Sequence, residues 1–101
     1  MQFLITAYDG KDSEAPSRRM TARPHHLEGV KKAKKEGKHL YGGAILDDAG
    51  NMIGSMMIVD YPSKEILEKE WLDAEPYILG NVWQKIEIKP FRVAEVFINK
   101  D

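Results

Sequence analysis

Two stretches of this sequence are apolar on both faces of an extended chain, and they restrict the fold more than any other feature. Residues 3–8 alternate Phe, Ile and Ala with Leu, Thr and Tyr, and residues 52–61 carry Met, Ile and Val on both faces. Side chains along a strand point alternately to opposite faces, so such strands need a cover on both sides. We therefore predict two central strands in a layered fold.

The other segments supply two helices and two more strands. We predict a first helix starting between Pro16 and Arg23 and running to about Glu36, with its regular part beginning near Arg23, because a proline at position 24 is tolerated only in a first turn. Further strands are predicted at 40–46 and 82–93, and a second helix from Ser63 to about Ala74. The resulting order, β-α-β-β-α-β, predicts one α+β domain over 1–101, ferredoxin-like, with an antiparallel four-stranded sheet.

In a ferredoxin-like domain both helices cover the same face of the sheet. The opposite face then needs another partner, and in a chain of 101 residues a second copy is the simplest one. We predict a homodimer joined through the helix-free sheet face. The apolar tail of Val96, Phe97 and Ile98 is also expected to pack.

Composition excludes several classes of function. With 15 basic and 16 acidic residues and a formal net charge of −1, we expect neither a nucleic-acid partner nor an anionic membrane. There is no cysteine, which excludes disulfides, thiolate nucleophiles and Cys-based zinc sites. No run reaches the roughly 18 apolar residues of a membrane span, and the first residues lack the basic start of a signal peptide. We expect a soluble, cytoplasmic protein.

Residues 19–27 place two arginines and two histidines at a helix start, and residues 73–77 form a loop with two carboxylates that can face them. Imidazole titrates near neutral pH and exchanges protons without a large shift. A carboxylate held against one ring nitrogen fixes the tautomer and stabilises the charged form. The two segments together predict a proton-transfer site.

The chain resembles the YciI-like (YCII-related) family of small bacterial proteins. The resemblance spans nearly the whole sequence, in the family's order, through Arg19, Arg23-Pro24-His25-His26-Leu27, Glu36-Gly37, Gly42 or Gly43, Gly54-Ser55, Glu75-Pro76-Tyr77, and Val82 through Ile88-Lys89-Pro90-Phe91. It implies a ferredoxin-like dimer of the dimeric α/β-barrel type with a His–Asp pair in an active-site cleft. Some relatives are linked to the degradation of halogenated aromatic compounds by elimination.

Carried over by position, the family histidine falls on His26 and the family aspartate on Glu75. Glutamate keeps the carboxylate and extends its reach by one methylene, so Asp73 and Asp9 remain alternative partners. His25 occupies a variable position of the motif and is expected to point elsewhere. On this basis His26 is the expected general base and Glu75 the group that orients it.

Four further residues are predicted to bind the substrate. Arg19 and Arg23 carry fixed positive charges that suit a carboxylate, phenolate or other anion. Ser55 and Tyr77 can donate hydrogen bonds to developing negative charge. The implied substrate is a small anion, aromatic compounds included.

No metal or other cofactor is predicted, because the three histidines lack the spacing of a metal site. The predicted reaction is therefore cofactor-independent proton abstraction, of the lyase or isomerase type. The alternative is a non-catalytic homodimeric module that binds a small anion in the same cleft.

Overall fold

The computed structural model describes residues 1–97 of the chain. The strands are β1 (Gln2–Asp9), β2 (His39–Leu46), β3 (Met52–Asp60) and β4 (Trp83–Phe91). The helices are α1 (Ala15–Lys35), α2 (Lys64–Glu70) and α3 (Pro76–Leu79). The strands form one antiparallel sheet in the order β2-β3-β1-β4. The predicted ferredoxin-like α+β fold is confirmed, with the two doubly apolar strands at its centre.

The core lies between the sheet and the helices. On β1, Phe3, Ile5 and Ala7 are each exposed by 3% or less, and they share one hydrophobic cluster with Leu67 of α2 and Tyr77 of α3. Because side chains alternate along a strand, these three residues share the face of β1 that packs on the helices. This packing brings α3 against the same side of the sheet as α1.

Helix α1 begins at Ala15, eight residues before the start expected for its regular part. The expectation was wrong because two prolines, Pro16 and Pro24, both fit a first turn. Pro16 is the one that occupies it, and Pro24 lies inside the helix. Pro24 is exposed, so water can reach the carbonyl that loses its helical partner. The earlier start carries Arg19 into the body of the helix.

The second helical segment is divided, which corrects the prediction of one helix to Ala74. Ser63 caps α2 as expected, its hydroxyl accepting a hydrogen bond from the backbone N–H of Ile66 at 3.2 Å. The helix ends at Glu70, and a 3₁₀ turn follows at Leu72–Ala74. Glu75 then caps α3, so the candidate carboxylate lies at a helix start, directly after the 3₁₀ turn.

Gly54 marks a close approach between the two central strands. A Cβ at this position would lie 2.5 Å from the carbonyl oxygen of Ala7. The next residue of β3, Ser55, pairs with Ala7 in the register and is 3% exposed. The glycine therefore lets β1 and β3 approach beside a buried polar side chain.

The helix-free face of the sheet is apolar at its centre. Leu4 and Thr6 of β1 and Met56 and Ile58 of β3 are half-buried there. Val96 and Phe97 are 75% and 82% exposed in the single chain, so these two residues do not pack on its own core, and their packing against a second copy stays a prediction. Ile98, the third residue of that prediction, lies outside the described residues.

Candidate active site

His26 and Glu75 form a buried hydrogen-bonded pair. Nδ1 of His26 lies 2.6 Å from Oε1 of Glu75, and the two side chains are 9% and 1% exposed. A carboxylate only accepts hydrogen bonds, so Nδ1 carries the proton and donates it. This assigns the tautomer and leaves Nε2 as the ring nitrogen that can accept a proton from another group.

The carboxylate is held in place by its own helix. Oε1 of Glu75 also accepts a hydrogen bond from the backbone N–H of Tyr77 at 3.1 Å, the usual N-cap arrangement. Pro76, at the first helical position, pre-sets the turn. The acid-Pro-Tyr sequence is therefore a helix cap whose side chain is shared with a histidine.

The alternative carboxylates occupy other places. Asp9 is bound to Arg19, with both of its oxygens 2.9 and 3.0 Å from Nη1. Asp73 is exposed, in the 3₁₀ turn before Glu75. Of the three candidates, Glu75 is the one whose side chain meets His26.

Arg19 is part of a buried network and not a spare cation. Its side chain and that of Asp9 are 4% and 5% exposed, so each charge balances the other. Nη2 of Arg19 donates to Oγ of Ser55 at 3.0 Å, and the indole N–H of Trp83 donates to the same oxygen at 3.2 Å. Two predicted site residues, Arg19 and Ser55, are thus joined to each other.

Tyr77 packs directly on the histidine. The two rings stack with centroids 4.0 Å apart and planes within 16°, and the guanidinium of Arg19 lies 4.7 Å above the tyrosine ring. Burial raises the pKa of Tyr77 above its usual value, which keeps the phenol protonated. The ring fixes the plane of His26.

His26, Arg19, Ser55 and Tyr77 all line a cavity of about 350 Å³ between α1 and the edge strand β2. Its three basic lining residues, Arg19, Arg23 and Lys34, all come from α1, and among residues 1–97 its lining includes no carboxylate. Its apolar walls include Leu27, Val30, Leu40, Tyr41 and Met57. The cavity brings together all the predicted site residues except Glu75, which stands behind His26. Its size and lining suit a small anion with an apolar body.

Arg23 supplies the positive charge that Arg19 does not. It is half-buried, and within residues 1–97 no salt bridge involves it. Lys34, near the end of α1, also lines the cavity. Of the two predicted anion-binding arginines, Arg23 is the one whose charge is available.

His39 is a second buried histidine in the cavity wall that the sequence did not single out. It is 5% exposed, and its Nε2 lies 3.3 Å from the hydroxyl of Tyr61. Burial lowers the pKa of His39 to about 4, and His26 adds to this effect when its ring is protonated. His39 is therefore neutral near pH 7. His39 begins β2 but lies one residue before the predicted strand 40–46, so the predicted bounds left it out.

Trp83 is the other residue that sequence analysis missed, because a tryptophan at a strand start is usually core. Its ring meets those of His26 and Tyr77 edge-on, at 5.9 and 5.4 Å between centroids.

A larger groove of about 1130 Å³ at the hairpin end of the sheet also touches Arg19, but neither His26 nor Glu75 lines it.

Within residues 1–97, no group of three or more His, Cys, Asp and Glu side chains is placed to hold a metal ion. Across the same residues, no helix has both the length and the apolar character needed to cross a membrane.

Comparison with solved structures places the fold. The chain is similar to 5-chloro-2-hydroxyhydroquinone dehydrochlorinase (TftG) from Burkholderia phenoliruptrix, solved in complex with 2,5-dihydroxybenzoquinone, with a TM-score of 0.79 and 22% identity over 95% of this chain and 98% of that one. It is also similar to an antibiotic biosynthesis monooxygenase, with a TM-score of 0.52 and 14% identity over 92% and 97% of the two chains. These likenesses confirm a fold of the dimeric α/β-barrel type.

Comparison of sequences shows the family. The chain is 32% identical over 98 residues to Protein YciI of Escherichia coli, covering 91% of this chain and 97% of that protein, and the same figures hold for Protein YciI of Shigella flexneri. The model of the YCII-related domain matches residues 1–92. The predicted resemblance is confirmed, and this chain belongs to the YCII-related domain family.

Proposed function

We propose that this protein is a cofactor-independent enzyme that removes a proton from a small oxygenated aromatic anion, with His26 as general base and Glu75 as the group that orients it. One observation carries the proposal. The buried His26–Glu75 pair, 2.6 Å apart, borders a cavity that holds spare positive charge.

The geometry suits a base more than a metal ligand or a nucleophile. Nδ1 of His26 is occupied by Glu75, which leaves Nε2 for the substrate proton. When Nε2 takes up that proton, the carboxylate of Glu75 stabilises the imidazolium. The stacked ring of Tyr77 prevents the imidazole from turning away. Positioned bases of this kind contribute about 100-fold or more to a rate.

The residues that line the cavity indicate the class of substrate. A cavity of about 350 Å³ is at the small end of ligand sites, so it fits one substituted ring. Arg23 and Lys34 favour a negative charge, and the apolar side chains around them favour a flat carbon body. TftG, which has a similar fold, holds 2,5-dihydroxybenzoquinone, a compound of this description.

For a chlorinated hydroquinone the chemistry balances without an external oxidant. His26 moves a proton from one ring hydroxyl to the chlorinated carbon, and chloride then leaves with the bonding electron pair. Loss of a proton from the opposite hydroxyl completes the quinone. The net change is the loss of HCl.

We also propose that the protein is a homodimer in the cytoplasm. The half-buried apolar residues Leu4, Met56 and Ile58 form a continuous strip on the helix-free face, which a second copy would cover. The lack of cysteine fits a reducing compartment.

The test is release of chloride from 5-chloro-2-hydroxyhydroquinone by the wild-type protein and by H26A. We expect turnover in the wild type and a loss of at least about 100-fold in H26A. The neighbouring H25A is the matched control, because His25 is exposed on the same helix and should keep full activity. Binding of the compound without turnover, weakened by H26A, would favour the alternative of a non-catalytic anion-binding module.

A further inference from the structure

The hydrogen bonds around Ser55 restrict what its hydroxyl can do. Oγ accepts from Nη2 of Arg19 at 3.0 Å and from the indole N–H of Trp83 at 3.2 Å. Ser55 is 3% exposed and lines the cavity beside His26 and Tyr77. It is the small polar side chain on which two donors from different elements, α1 and β4, converge.

A serine hydroxyl has one proton and two lone pairs. Guanidinium and indole groups are donors only, so Arg19 and Trp83 occupy both lone pairs. The proton of Ser55 is then left in the remaining direction of the tetrahedral oxygen. Within residues 1–97, neither of the two hydrogen bonds of Ser55 uses that proton.

We propose that Arg19 and Trp83 fix Ser55 as an obligatory hydrogen-bond donor to the ligand, so that the cavity selects a phenolate or enolate oxygen at this point. The inference rests on the proposed function and names the group that the ligand presents there. Ser55 touches the ligand, and Trp83 is a positioning residue that acts through Ser55. Charge that develops on this oxygen during proton transfer meets a donor already aligned, with no reorganisation.

Both positioning donors are themselves held by buried contacts. Arg19 is bound by both oxygens of buried Asp9. Trp83 is 5% exposed and lies edge-on against two rings of the site. Replacing Trp83 with Phe would keep an aromatic ring and remove only the N–H, after which one lone pair of Ser55 is free and the hydroxyl can accept as well as donate.

The ligand arm of the test uses 4-nitrophenol, whose neutral and ionised forms absorb differently. Its affinity and its pKa when bound are measured in wild type, S55A, W83F and the double variant. We expect S55A to weaken phenolate binding about 10-fold and to raise the pKa of the bound probe by about one unit. W83F should have a smaller effect in the same direction.

The double variant separates positioning from a general loss of packing. If Trp83 acts through Ser55, W83F changes nothing further once Ser55 is Ala. W71F is the matched control, since Trp71 belongs to the same hydrophobic core and neither hydrogen bond of Ser55 involves it. It should leave phenolate affinity within about 2-fold.

A ligand-free arm tests the Trp83–Ser55 bond directly. The chain has two tryptophans, so the indole N–H region of a proton–nitrogen NMR spectrum holds two signals, and the one missing in W83F belongs to Trp83. We expect that signal to move in S55A while the Trp71 signal stays. An unmoved Trp83 signal would overturn the inference.

The remaining outcomes keep the two proposals apart. Phenolate binding that is insensitive to S55A, or weakened equally by W83F in both backgrounds, overturns this inference and leaves the proposed function intact. Failure of the wild type to bind either 4-nitrophenolate or 2,5-dihydroxybenzoquinone overturns both the proposed function and the ligand class named here.

Discussion

Nδ1 of His26 lies 2.6 Å from Oε1 of Glu75, although the two residues are 49 positions apart in the chain. The pair joins the middle of α1 to the cap of α3, and the same carboxylate oxygen accepts the backbone N–H of Tyr77. One oxygen therefore stabilises a helix start and fixes a histidine tautomer. Stability and chemistry are linked at this point, which makes the residue testable in both respects.

Glu75→Ala should destabilise the protein more than Glu75→Gln. Alanine leaves the N–H of Tyr77 and Nδ1 of His26 buried without an acceptor, at a cost of about 2–4 kcal/mol from the lost cap and the unsatisfied donor. Glutamine keeps an acceptor oxygen for both. Urea unfolding of the two variants measures the difference, and equal stabilities would contradict the shared-acceptor geometry.

The two predicted arginines should separate into a structural and a binding role. Arg19→Ala leaves Asp9 buried without a counter-charge and should cost about 3–5 kcal/mol of unfolding free energy. Arg23→Ala, in the same helix, should change stability by no more than about 0.5 kcal/mol and weaken binding of an aromatic anion about 10-fold. Denaturant unfolding and calorimetric titration of both variants measure these effects. Equal destabilisation by the two substitutions would show that the charge of Arg23 is also balanced.

His39 should make the folded state sensitive to acid. Burial lowers the pKa of His39 from 6.5 to about 4, so between these values the unfolded chain takes up a proton that the folded protein does not. The free energy of unfolding is therefore unaffected by His39 above pH 6.5. It falls by up to about 3 kcal/mol as the pH drops from 6.5 to about 4.

The measurement is the unfolding free energy against pH for wild type and for H39Q, which keeps a polar side chain but does not titrate. The wild type should lose more stability than H39Q between pH 6.5 and 4. Parallel curves would mean that His39 is solvated when folded.

The proposed dimer should depend on the centre of the helix-free face. Met56→Lys places a charge among half-buried apolar residues of that face, and a second copy could cover it only at the cost of burying an unpaired ammonium. Light scattering during size exclusion should show a dimer of the 11.5 kDa chain in wild type and a monomer in the variant. Met20→Lys is the matched control, because Met20 is exposed on α1, on the opposite side of the sheet. A monomeric wild type would refute the dimer.

Much of the fold was available from the sequence because period and order are local signals. Strands 3–8 and 52–61 are apolar on both faces, which predicts that they are central. The order of the elements then predicted the topology. The start of α1 was not available, since Pro16 and Pro24 both satisfy the rule for a first turn. Which proline is inside a helix depends on the exposure of its surroundings, which is a property of the folded state.

The site was partly available for the same reason. The family resemblance pointed to His26 and Glu75, and in the structure their side chains are hydrogen-bonded. It did not reveal that Asp9 balances Arg19, because a pairing between the end of a strand and a helix depends on tertiary packing. Nor did it reveal Trp83, whose indole N–H matters only once Ser55 lies opposite it.

The place where 2,5-dihydroxybenzoquinone binds tests the proposed function most directly. The protein is titrated with this compound and followed by NMR of the histidine and tryptophan side chains. The signals of His26 and Trp83 should move first and reach saturation. H26A and R23A should weaken the affinity, and H25A should leave it unchanged. Saturable shifts confined to the groove lined by Tyr8, Met20 and Ile53, or no binding at all, would contradict the claim that the His26–Glu75 cavity is the functional site.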